Sequence, residues 1–135
     1  MEHKIISMNK EQKQEETKGQ PIGQGVIFIK TRMSDDKIHE MVSQMQHFAD
    51  ITDLRIMDVI IDEYASDDID RDEVTRLCDW IESSGAGVIF VNSIYDITTD
   101  CDDLDKFIER AMYFGMIIVD FTAQEVIVPY REGGR

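Results

Sequence analysis

Four consecutive apolar residues, Val88-Ile89-Phe90-Val91, stand between the turn Ser84-Gly85-Ala86-Gly87 and the polar Asn92. A strand with no polar side chain on either face must be covered on both sides, and a parallel sheet between two helix layers provides that cover. Short apolar runs also occur at residues 25–30 and 116–120, and residues 54–61 are rich in branched apolar residues. Helical stripes lie between them. Ile38, Met41, Val42, Met45, Phe48 and Ala49 recur at spacings of three and four, as do Val74, Leu77, Cys78 and Ile81, and then Leu104, Phe107, Ile108, Ala111 and Met112. Strands alternating with helices predict an α/β fold: a three-layer sandwich around a mostly parallel sheet of four to five strands. The short turn at Thr122-Ala123-Gln124 makes residues 125–128 an antiparallel edge strand, which Pro129 stops.

The 135 residues suit one domain with a real core. Residues 1–24 are polar and mixed in charge and read as a flexible arm. Residues 25–130 form the folded unit and residues 131–135 a polar tail. The formal net charge of −14 repels phosphate backbones and anionic membranes alike, which excludes non-specific nucleic-acid binding on electrostatic grounds. The two cysteines, Cys78 and Cys101, lack metal-ligand spacing, and Cys78 falls on an apolar helix stripe. Reduced thiols, no secretory leader and no apolar run of membrane-spanning length predict a cytoplasmic protein. No metal or cofactor is expected.

Function in a fold of this shape lies in the loops at the carboxyl ends of the strands. No glycine-rich phosphate loop follows residues 25–30, which removes the main support for a nucleotide fold. A phosphoacceptor receiver domain would place an aspartate after the third strand, where this chain has Asn92. Asp68, Asp70 and Asp72 mimic the opening of an EF-hand loop, but the sixth position is Glu73 where glycine is needed; a solvated acidic helix start, capped by Asp70, is the better account. The stretch Gly25-Val26-Ile27-Phe28-Ile29-Lys30-Thr31-Arg32-Met33-Ser34-Asp35-Asp36 runs from a buried strand into a polar loop in which Ser34 or Asp35 can cap a helix.

With these elements placed, residues 26–120 resemble the catalytic domain of the serine recombinases, the resolvase/invertase family. Asp62-Glu63-Tyr64-Ala65-Ser66-Asp67 resembles the family's aspartate-x-x-x-serine-glycine loop, with Asp67 in place of the glycine. Asp70-Arg71 resembles its aspartate-arginine pair, and residues 88–100 follow its third strand and the arginine-bearing loop beyond. The resemblance implies a serine nucleophile that attacks a DNA phosphodiester, with arginines neutralising the charge on the phosphoryl oxygens. The family's arginine-x-serine motif fits two registers here. One matches Arg32-Met33-Ser34 and makes Ser34 the nucleophile. The other places Lys30 and Arg32 at the two positions and loses the nucleophile.

The arginine positions after the third strand hold Asp96 and Thr99. A carboxylate at Asp96 opposes a bound phosphate by on the order of a few kcal/mol in a partly desolvated site. The family's long dimerisation helix and DNA-binding domain have no counterpart in the few residues after the fourth strand. The reading that follows is a degenerate recombinase domain acting as a protein-interaction or regulatory module, its partner a recombinase or a second copy. The alternatives are an active recombinase using Ser34, Arg32 and Arg71, for which DNA is the substrate, and a small anion- or phosphate-binding domain using Arg32 and Arg71.

Overall fold

The computed structural model describes residues 3–7, 23–31, 33–63 and 68–129. Its elements run β1 (His3–Ser7), β2 (Gly23–Lys30), α1 (Asp35–Ile51), β3 (Leu54–Asp62), α2 (Asp72–Ser84), β4 (Val88–Val91), α3 (Cys101–Tyr113), β5 (Ile117–Asp120) and β6 (Glu125–Pro129), with one turn of 3₁₀ helix at Ile94–Asp96. They build a six-stranded sheet in the order β1-β6-β5-β4-β2-β3. The strands β3, β2, β4 and β5 pair in parallel, and β6 pairs antiparallel with both β5 and β1. This is the expected α/β sandwich, but its antiparallel strand β6 is not the expected edge strand of a four- to five-stranded sheet: β1 covers it and brings the sheet to six strands.

Each half of the core follows from the sequence stripes. Val26 and Phe28 point to one face of β2, with Val74, Leu77 and Ile81 of α2 and Leu104, Phe107, Ile108 and Ala111 of α3. Ile27 and Ile29 point to the other, with Met45 and Ala49 of α1. Val26 through Ile29 and Ile89 through Val91 are at most 1% exposed, as the absence of polar residues from these runs requires. Phe48, Phe90 and Phe121 pack edge-on or tilted at centroid distances of 5.7–6.2 Å and tie α1 to the sheet. Gly85 and Gly115 end α2 and α3 at φ of 77° and 82°, where a side chain would be strained.

Two further expectations need correction. The expected arm of residues 1–24 includes two pieces of sheet: His3–Ser7 forms β1, and Gly23 and Gln24 belong to β2. Apolar content hides β1, because His3-Lys4-Ile5-Ile6-Ser7 offers only two apolar residues, and its partner β6 lies more than a hundred residues away along the chain. The rest of that arm and the tail 131–135 lie outside the described residues. The second correction concerns α2. Asp70 does not cap it: the N-cap residue is Arg71, with no side-chain cap bond. The other two helices are capped by side chains, Ser34 Oγ accepting from Lys37 N and Asp100 from Asp103 N.

This topology fixes where a site can form. From β2 the chain crosses through α1 to β3 on one side, then through α2 to β4 on the other side of β2. The order reverses beside β2, and the crevice of such a sheet opens outside the carboxyl ends of β2 and β4.

Candidate functional site

The carboxyl ends of the parallel strands bring together Lys30 and Thr31 after β2, Asp62 at the end of β3, Asn92 to Asp96 after β4, and Asp120 at the end of β5. Arg71 reaches in from the start of α2. Thr31 N donates to Asp62 O at 2.9 Å, which joins the first two loops.

Arg71 is the centre of the arrangement. Its side chain is 7% exposed and pairs with Asp62, which is 0% exposed. Four of its five N–H groups are committed: Nε to Asp62 Oδ2, Nη1 to Asp68 O at 3.0 Å and to Ile97 O at 2.8 Å, and Nη2 to Asp96 O at 2.6 Å. Its guanidinium carbon lies 5.9 Å from the centroid of Phe28. The cation therefore staples three segments, the end of β3, the loop before α2 and the 3₁₀ turn after β4. Arginine suits this role because a planar fork can satisfy several fixed acceptors while it keeps its charge.

Asp96 turns its carboxylate inward. The main-chain N–H groups of Lys30 and Ser93 donate to its carboxylate, and the Lys30 charge also favours ionisation. Its Oδ2 is nevertheless buried with no hydrogen-bond partner among the described residues. Burial dominates, with help from the nearby Asp120 charge, and raises the carboxyl to about 6. Asp120, 3% exposed, has both oxygens committed: Oδ2 accepts from Ile94 N at 3.0 Å and Oδ1 from Ala123 N at 2.9 Å. It fixes the 3₁₀ turn whose next carbonyls hold Arg71. The resemblance singles out Asp62 as the head of a loop motif, but the sequence gives neither Asp62 as the partner of Arg71 nor Asp120 as the anchor of the 3₁₀ turn. The signal available was that both close an apolar strand with an acid.

Ser34 sits elsewhere on this rim. It is exposed, and its Oγ accepts from Lys37 N at 3.4 Å as the N-cap of α1. Among the described residues no hydrogen bond joins Ser34 to Arg71. Arg32, the third candidate residue, lies outside the described residues, as do Tyr64 to Asp67 of the acidic loop.

Solved structures of the same shape give the geometry its context. The chain superposes on the N-terminal catalytic domain of TP901-1 integrase with a TM-score of 0.61 at 13% identity, covering 73% of this chain and 76% of that one. It superposes on the C-terminal catalytic domain of ISC1926 TnpA, an IS607-like serine recombinase, with a TM-score of 0.63 at 14% identity, covering 72% and 68%. The chain has the fold of a serine recombinase catalytic domain. Identity at this level speaks to the fold alone. No protein-family model matches the recombinase-like chain, and no curated protein matches it by sequence. Among the described residues no group of three or more His, Cys, Asp or Glu could hold a metal ion, and no helix is long and apolar enough to cross a membrane.

Proposed function

We propose that this recombinase-fold domain does not carry out DNA strand exchange and serves as a protein-interaction or regulatory module in the cytoplasm. The carrying observation is the commitment of Arg71. Phosphoryl transfer through a serine needs preorganised donors aimed at the phosphoryl oxygens. The arginine retained from the family pattern aims its donors at Asp62 and at three main-chain carbonyls instead. The half-buried carboxylate of Asp96 and the net charge of −14 act in the same direction, against a bound polyanion.

One observation favours the active alternative. The Ser34 hydroxyl is solvent-facing at a strand-to-helix loop, and its cap bond is long at 3.4 Å, so it could approach a phosphodiester. In that reading Arg32 and a reoriented Arg71 would hold the phosphate. Incubation with supercoiled plasmid followed by denaturing electrophoresis separates the two. The expected result is no covalent protein–DNA adduct, also when a DNA-binding domain is fused to the chain. An adduct that disappears in Ser34→Ala would overturn the proposal and restore the enzyme. A phosphate-binding role is tested alongside: phosphate should leave the amide resonances of the β2–α1 loop and of the start of α2 unmoved.

A further inference from the structure

The two outer edges of the sheet are built differently. At one edge stands β3. Val59 N donates to Asp58 Oδ1 at 2.9 Å instead of to a strand, and Arg76 grips that carboxylate at 2.6 and 3.1 Å. The β2–β3 register also shifts between Gly25 and Val26. A bulge and a committed edge donor discourage a further strand. At the other edge β6 is covered by β1, in register from His3 opposite Pro129 to Ser7 opposite Glu125. The β-branched run Val126-Ile127-Val128 suits β6 to pairing. Its cover is slight: β1 has one strand neighbour and two apolar residues, Ile5 and Ile6, which puts it at the low-stability end of the fold. Whenever β1 opens, the bare row of β6 is a template for a strand.

The pairing itself shows what fits that row: His3–Ser7. β1 runs parallel to β2 but lies beyond β6, β5 and β4, so the chain leaves β1 at one end of the sheet and enters β2 at the other. Fifteen residues, 8–22, separate the two strands in the sequence. A link of that length extends to at most roughly 50 Å. Four strand spacings and one strand length set its ends about 25 Å apart. The tether is therefore long enough for β1 to reach an edge beyond its own copy. The charge agrees. Residues 1–22 hold four lysines and four glutamates, so the net charge of −14 belongs to the remainder of the chain. A neutral arm meets a second acidic body without the repulsion that two acidic bodies exert on each other.

Resting on the reading of this domain as an interaction module, we infer that the outer edge of β6 is an acceptor for the His3–Ser7 strand of a second copy, so that two chains exchange their first strands in a symmetric pair. The exchange keeps every β1–β6 pairing of the closed chain, because the donated strand is identical and takes the same register. Its cost is the freedom of two molecules held together, which chain concentration offsets.

The test places Lys4→Cys and Val128→Cys, opposite each other in the register, in two separate full chains. These are mixed, refolded together from urea and oxidised. A disulfide between positions 4 and 128 then joins two molecules, and peptide mapping separates it from bonds to the native Cys78 and Cys101. The bond is expected, with a yield that rises in proportion to chain concentration while dimers are the minority. It should rise again between about 0.01 M and about 0.15 M sodium chloride, as repulsion between the two bodies is screened. Both substitutions in one chain check fold and register, because that chain must form the same bond within itself or with a second copy. No bond between the mixed chains, while the doubly substituted chain closes it internally, would overturn the inference. Failure of the doubly substituted chain to form the bond at all would remove the pairing on which the inference stands. Absence of exchange without any DNA adduct removes only this inference, whereas an adduct through Ser34 removes the reading beneath it.

Discussion

Removing Arg71 would leave the buried Asp62 carboxylate without its guanidinium and would free the carbonyls of Asp96 and Ile97. Breaking one side of a buried pair costs about 3–5 kcal/mol, and Arg71→Ala is expected to lose that much in urea denaturation. The paired change Arg71→Met with Asp62→Leu should cost clearly less than the sum of the two single changes, and a double-mutant cycle reads the difference. The second residue with a measurable signature is Asp96. Its folded carboxyl sits near 6, above the usual range of about 4, so the folded state holds a proton that the unfolded state has already released between these values. Stability from this group is therefore greatest at low pH and declines as pH rises from about 4 to about 6. Asp96→Asn should flatten that stretch of the stability–pH curve relative to the parent. None of this could be read from residue types. Arg71 and Asp96 stand out in the sequence as one matched and one mismatched position, but whether a guanidinium points to solvent or inward depends on acceptors 25 and 26 residues away.

The elements themselves were far more legible. Val88–Val91 and the three helix stripes carry their burial in their periodicity, and each expected stripe falls within one observed helix. Where reading failed, the competing physics was non-local: β1 exists through its ladder to β6, and α2 starts without a side-chain cap because its N-cap residue is the buried staple. Ser34 belongs to this scale. As a helix cap, Ser34→Ala should cost about 0.5–1 kcal/mol, the low end of the capping range given its 3.4 Å bond, and Ser34→Asp should recover most of it. A role confined to catalysis would leave stability unchanged in both. Gly25 is a second test at this scale. A methyl group there would lie 3.1 Å from both Phe90 Cε2 and Val88 O, so Gly25→Ala should destabilise the β2–β4 pair by about 1–3 kcal/mol in thermal or urea unfolding.

For the whole molecule the dominant quantity is the net charge of −14. Self-repulsion on this scale opposes the compact state and is screened by salt. The melting temperature should therefore rise between about 0.01 M and about 0.15 M sodium chloride, over which the Debye length falls from about 30 to about 8 Å. The same charge set against a recombinase fold motivates the central claim: the scaffold persists while its retained arginine serves the scaffold. The Arg71 guanidinium can be observed directly, by nitrogen-resolved NMR of its Nε–H during titration with a duplex oligonucleotide. The account predicts a resonance protected from exchange with water and unmoved by DNA. A resonance that exchanges freely, or that shifts saturably as DNA is added, would mean that Arg71 is available to a phosphate, and would contradict it.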